Sequence, residues 1–262
     1  MELIALPALS DNYIWLLHNG TQALAVDPGQ AQPVQNALQA HGLELACILV
    51  THHHTDHTGG VAALRAATGA AVFGPAHAAM PAAVPLSRVA DGSRVRALGL
   101  CFEVLDVPGH TSGDVAYFCA DVDGAGLLFS GDTLFSAGCG RVFEGTPAQM
   151  LAALDRLAAL PGHTRVCCAH EYTLDNLRFA LAVEPGNSAL AAHLRHCEPL
   201  RQQGKPTLPS TIALERAINP FLRSRQASVA QAVCAHAPPG SIQTTDEVAV
   251  FAALREWKNN FK

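Results

Sequence analysis

The 262-residue chain contains no apolar run of the roughly 18–20 residues that a membrane-spanning helix requires. No membrane association is therefore expected. It also lacks a basic stretch followed by an apolar one at its start. Met1-Glu2-Leu3-Ile4-Ala5-Leu6-Pro7 does not fit a secretory signal. Charge is scarce, at 15% of residues, and the net balance is −5 with histidine counted neutral. A general nucleic-acid binder carries a basic surface more often, so no nucleic-acid partner is expected. The eight cysteines include no CxxC pair. They are expected to be reduced, mostly buried thiols of a cytoplasmic protein. Internal repeats and low-complexity tracts are missing too.

A hydrophobic fraction of 49% easily supplies a core. The length suits one large domain plus a smaller one. Up to about residue 172 the sequence alternates short apolar runs with polar loops. Strands are expected at Ile14–Leu17, Ala23–Val26, Cys47–Val50, Phe102–Val107, Val115–Phe118, Leu127–Phe129 and Arg165–Cys168. Helices are expected at 33–41, from Gly59-Gly60 to about Ala67, and over Pro147–Leu160. Such a mixture indicates an α/β or α+β layered domain. Beyond residue 173 the pattern becomes helical: Leu174, Leu177 and Leu181, then Leu190, Leu194 and Cys197, lie at helical spacing. A short helix is expected at Thr211–Ile218. The last helix should start near Thr244, whose spacing to Glu247 fits a capping box. The expected division is 1–172 and 173–262.

Four strand candidates end in possible metal ligands. Val50-Thr51 leads into His52, His54, Asp56 and His57. Val107-Pro108-Gly109 leads into His110, Phe129-Ser130-Gly131 into Asp132, and Cys168-Ala169 into His170. Loops at strand ends are where a rigid scaffold presents functional groups. Alternate residues of an extended segment point the same way, so His52 and His54 can aim at one point while His53 faces away. Asp56 and His57 follow a turn and can aim at a second. A lone histidine among the thirteen needs no ligand role. Four candidate ligands within six positions are another matter. Seven ligands exceed one tetrahedral ion and suit two adjacent ions that share a carboxylate, for which Asp132 is the choice. Imidazole with carboxylate makes zinc the default, with manganese and iron open.

Thr51-His52-His53-His54-Thr55-Asp56-His57-Thr58-Gly59-Gly60 resembles the signature of the metallo-β-lactamase-fold superfamily. Asp27-Pro28-Gly29, Gly109-His110-Thr111, Gly131-Asp132-Thr133 and Ala169-His170-Glu171 are similar to its other elements, in order. The resemblance implies an αββα sandwich followed by a small C-terminal helical domain. It implies one metal held by His52, His54 and His110, the other by Asp56, His57 and His170, with Asp132 bridging. Longer blocks resemble the hydroxyacylglutathione hydrolase (glyoxalase II) family. They include residues 131–146, His170–Asn176, Val183–Asn187, Pro209–Thr211, Asn219–Arg223 and Leu254–Phe261.

That resemblance implies hydrolysis of S-D-lactoylglutathione to D-lactate and glutathione by a hydroxide held between two metal ions. Asp56 and Asp132 would be the catalytic carboxylates. It also implies glutathione contacts at Arg141, Phe143, Tyr172, Arg255 and Lys258. Glutathione carries two carboxylates, so cations suit its site. Arg255 and Lys258 are three apart, hence on one helix face. Spacing alone would read them as a solvated face. Position 143 is Phe where some members have Tyr, and position 141 is Arg where others have Lys. Asp27 is expected either to hold a ligand histidine or to cap its own turn. Competing readings are a glutathione persulfide dioxygenase with a single iron, a β-lactamase, and a non-catalytic metal-binding protein. A monomer is expected.

Overall fold

The computed structural model describes residues 1–80 and 86–261. Lys262, the last residue of the expected helical segment, lies outside them, as do 81–85. The first sheet comprises β1 (Glu2–Ala8), β2 (Asn12–His18), β3 (Gln22–Val26), β4 (Glu44–Leu49), β5 (Ala71–Pro75) and β6 (Ser87–Val89), in spatial order 1-2-3-4-5-6. The β1–β2 and β2–β3 pairs are antiparallel; the β3–β4, β4–β5 and β5–β6 pairs are parallel. Helix α1 (Ala31–His41), the single turn α2 (Thr55–Thr58) and α3 (Val61–Thr68) lie in its crossovers. The chain continues with β7 (Arg94–Ala97), β8 (Leu100–Asp106), β9 (Val115–Val122) and β10 (Ala125–Gly131). After these come the small hairpin β11 (Leu134–Phe135) and β12 (Gly138–Cys139), then α4 (Pro147–Ala158) and β13 (Arg165–Cys168). The remainder is α5 (Thr173–Val183), α6 (Ser188–Gln202), β14 (Ser210–Thr211), α7 (Ile212–Ile218), α8 (Ala227–His236) and α9 (Glu247–Asn260). The second sheet has the order 14-13-10-9-8-7.

The two sheets pack face to face. Trp15, Leu17 and Leu49 of the first meet Phe102, Tyr117 and Phe129 of the second. The outer face of the first sheet, with Ile14, Leu16 and Ile48, is covered by Val34 and Leu38 of α1 and Leu64 of α3. β2 is buried along its entire length, which is why it reads as an unbroken apolar run rather than an alternating one. The outer face of the second sheet, with Leu105, Leu128 and Val166, packs on α4, α8 and α9 in one cluster with Met150, Val233 and Phe251. The result is the αββα sandwich with helices following it. The C-terminal segment also contributes β14 to the edge of the second sheet, antiparallel to β13.

One local expectation is corrected. α9 starts at Glu247 behind Asp246, whose carboxylate accepts the amide of Ala249 at 3.0 Å. Asp246 is the N-cap, and Thr244 lies two residues outside the helix. α2, α8, the seven-residue edge strand β1 and the shorter strands β5, β6, β7, β11, β12 and β14 are additions to the expected elements.

Candidate metal centre and substrate cavity

Asp27 stands at the end of β3 with φ +51° and ties two loops together. Its Oδ1 accepts the amide of Thr51 at 2.7 Å, and its Oδ2 accepts the Thr51 hydroxyl at 2.7 Å. The same Oδ2 lies 3.1 Å from Nδ1 of His57. Asp27 therefore does both things expected of it, holding the turn and facing a candidate ligand. Gly29 allows the adjoining loop to close. A Cβ there would sit 1.9 Å from the Asp56 carbonyl.

His52 and His54 follow the end of β4 in a bend and the irregular chain after it, and α2 then carries Asp56 and His57. His110, Asp132 and His170 arrive from the ends of β8, β10 and β13. The structure brings all seven together at one edge of the sandwich. His54 Nδ1 lies 3.1 Å from His52 Nε2 and 3.1 Å from His110 Nε2. His57 Nε2 is 3.3 Å from Asp56 Oδ2, and His170 Nε2 is 3.5 Å from the same oxygen. Asp132 faces both groups, with Oδ2 3.4 Å from His110 Nε2 and Oδ1 3.3 Å from His170 Nε2. A tetrahedron with metal–nitrogen bonds of about 2.0–2.1 Å has edges of about 3.3 Å, so these spacings are those of ligands around an ion.

His57 Nε2 and Asp132 Oδ1 are buried without a properly aligned hydrogen-bond partner among the described residues. Orphaned buried polar atoms are costly, and a cation between them removes the cost. The side chains therefore fit a divalent ion. Their protonation supports this. Burial first, then the neighbouring His57, pulls His52 well below the ordinary histidine value. Burial first also lowers His54 and His110. His57 and His170 behave oppositely. Burial pulls them down, but Asp132 with Asp27 raises His57 well above its ordinary value, and Asp132, Asp56 and Asp11 lift His170 to about 10. Without a metal, protons on these two rings balance the carboxylates.

A cavity of about 530 Å³ opens from this cluster. His54, Asp56, His110, Asp132 and His170 face it from below; Arg141, Phe143, Tyr172, Arg255 and Lys258 line it further out. Tyr172 stacks on His170, with ring centres 4.8 Å apart and planes at 8°. Phe143 stands 61% exposed at the rim, its ring 5.2 Å from that of His110. Arg255 is not on a solvated face. It is 8% exposed, donates from Nη1 to the Cys139 carbonyl at 2.7 Å, and lies over the Phe221 ring. Lys258 Nζ donates to the Asp175 carbonyl at 3.2 Å. Its ammonium is drawn below its ordinary value by burial first, with Arg255 and Arg141 adding to the effect. Among the described residues none of the three cations forms an ion pair with a carboxylate. His53 points away from the cluster to Glu144, at 3.2 Å.

Three participants escaped the sequence reading. Asp11 Oδ1 lies 2.7 Å from His170 Nδ1, and Asn12 Nδ2 donates to Asp56 Oδ2 at 3.1 Å. Asn176 lines the cavity from α5. Asp11, in an ordinary-looking turn, and Asn12, the first residue of β2, lie 158 or more residues from His170, so only the β-bridge between Asn12 and His170 reveals them. No helix is long and apolar enough to cross a membrane among the described residues.

Residues 9–170 match the model of the metallo-β-lactamase superfamily, and residues 171–261 match that of the hydroxyacylglutathione hydrolase C-terminus. The chain is 66% identical over 261 residues to a hydroxyacylglutathione hydrolase of Albidiferax ferrireducens, covering 100% of both chains. It is 54% identical over 270 residues to that of Cupriavidus taiwanensis, again covering 100% of both. Among solved structures it is similar to TTHA1623 in a di-iron-bound form, with TM-score 0.59 and 27% identity over 84% of this chain and 100% of that one. With both segments matched and relatives aligned end to end, the chain belongs to the hydroxyacylglutathione hydrolase family of the metallo-β-lactamase superfamily.

Proposed function

We propose that the protein hydrolyses S-D-lactoylglutathione to D-lactate and glutathione at a centre of two divalent ions, with zinc as the default and iron or manganese as alternatives. The observation that carries this reading is one cavity with two chemistries. Its floor is formed by five of the seven candidate ligands, and its wall by three cations that have no carboxylate partner among the described residues. Glutathione supplies the two missing carboxylates. His52, His54 and His110 would hold one ion, Asp56, His57 and His170 the other, with Asp132 between them. Bound there, the ions would lower the pKa of an intervening water toward neutrality and polarise the thioester carbonyl.

The protein's own groups do the rest. Arg141, Arg255 and Lys258 hold the peptide carboxylates. The exposed Phe143 ring packs on the ligand at the rim. Tyr172 closes the side of the cavity beside His170. Asp56, held by Asn12, orients the attacking water. In this reading residues 1–172 carry the ions and 173–262 supply much of the substrate site, through α5 and α9. The cytoplasm is the proposed location, supported by eight free cysteines. The protein is proposed to act as a monomer. The test is thiol release from S-D-lactoylglutathione by pure, metal-replete protein. No release above the uncatalysed rate would overturn the reading.

A further inference from the structure

We propose that Glu215 and Asn219, both fully buried in the C-terminal segment, are positioning residues for the metal centre, acting through the loop between Asp132 and Arg141. The inference rests on the metal reading of the seven ligands. The loop has little regular structure and must satisfy its own backbone groups. Side chains from the C-terminal segment do this. Asn219 Nδ2 donates to the carbonyls of Phe135 at 3.1 Å and Gly138 at 2.9 Å. The Ala137 amide, at φ +54°, donates to Glu215 Oε2 at 2.8 Å. Asn219 also donates to Glu215, and the Ser210 hydroxyl bonds the other carboxylate oxygen. Glu215 and Asn219 are each 0% exposed.

The loop ends where the centre begins. Gly140 lies so close to its start that a Cβ would be 2.0 Å from the Asp132 carbonyl. The next carbonyl, that of Arg141, lies 2.9 Å from His110 Nδ1. That contact fixes the His110 ring with Nε2 toward Asp132. A partner on the far nitrogen of a ligand histidine sets its orientation and basicity. Loosening the strap therefore moves the Arg141 carbonyl, releases the His110 ring, and shifts the Arg141 side chain in the same event. If Glu215 and Asn219 merely stabilised the helices, their loss would lower thermal stability and leave the centre intact.

The experiment compares Asn219→Ala and Glu215→Gln with Arg216→Ala. Arg216 also lies on α7, but it bonds the Ala158 and Leu160 carbonyls away from the centre. Each zinc-loaded protein is challenged with a chelator, and unfolding temperature is recorded alongside. Asn219→Ala and Glu215→Gln should lose zinc several-fold faster, up to the roughly tenfold at which the loss of a ligand's direct partner begins. Arg216→Ala should lose stability with the parental rate of zinc loss. Parental zinc retention in folded Asn219→Ala and Glu215→Gln would overturn the proposal. Hydrogen exchange of the parent gives a readout that needs no variant. The Ala137 amide should exchange as slowly as those of β10, and rapid exchange there would overturn the strap. A parent that takes up no zinc, iron or manganese would instead refute the metal reading, and the exchange measurement would still judge the strap.

Discussion

At the scale of single residues, charge and burial assign different tasks to cations that look alike in the sequence. Lys258 reaches the cavity with one backbone contact and, among the described residues, no carboxylate partner, so its charge is open to a ligand. Arg255 spends Nη1 on the Cys139 carbonyl in a buried setting. Lys258→Ala should raise KM roughly tenfold or more with kcat nearly unchanged, since a charged hydrogen bond contributes about 1.5–3 kcal/mol. Arg255→Ala should raise KM and also lower kcat, because the Cys139 carbonyl and its loop lose their anchor. Steady-state kinetics on the thioester separate the two outcomes. Equal KM effects with unchanged kcat in both variants would contradict the double role of Arg255.

At the scale of elements, the sites depend on how strands and helices end. Each ligand group lies just past the end of a strand, where the backbone leaves the ladder and side chains turn inward. The helix that carries Arg255 and Lys258 begins at the cap on Asp246. Asp246→Ala should cost about 1 kcal/mol of stability through loss of that cap, whereas Thr244→Ala should change little. Denaturant unfolding of the two variants checks this; a larger loss from Thr244→Ala would restore the capping box inferred from spacing. The expected strands that were correct belong to the middle of the sheets, where two covered faces impose long apolar runs. The edge strands β6, β7 and β14 are short and partly exposed, so their apolar signal is weak.

At the scale of the whole molecule, the helical segment and the sandwich share a core. Phe179, Ile212, Phe221, Phe251 and Leu254 join Leu128, Met150, Leu154 and Val166 in one cluster. Each large apolar side chain contributes roughly 1.5–3 kcal/mol on burial, so losing several exceeds the roughly 5–15 kcal/mol by which domains are stable. A chain ending at residue 172 should therefore fail to unfold cooperatively, as judged by calorimetry. A sharp transition in that fragment would show that the sandwich stands alone. The metal centre adds a pH dependence. In metal-free protein His170 is raised from 6.5 to about 10, so the folded state holds its proton more tightly than the unfolded chain. That stabilisation is complete below about pH 6.5 and is lost as pH rises toward 10, at up to about 1.4 kcal/mol per pH unit per proton. The unfolding temperature of chelator-treated protein should fall across this window, and added zinc should remove most of the fall. A flat profile would contradict the proton-for-metal exchange at His57 and His170.

The sequence by itself determined the layered α/β architecture, the helical C-terminal segment and the group of candidate ligands. These rest on local pattern: apolar runs under covered sheet faces, helical periodicity, and an HxHxDH spacing that aims side chains without help from distant residues. Other features were decided only by tertiary structure. Asp11 and Asn12 matter because β2 lies against His170, and Arg255 is buried because the loop after Asp132 folds beneath α9. Glu215 and Asn219 acquire a role only because α7 comes to lie under that loop. Each depends on contacts between residues far apart in the chain, which packing creates and no local spacing encodes. The seven candidate ligands could be read as a set from the chain; how they are held could not.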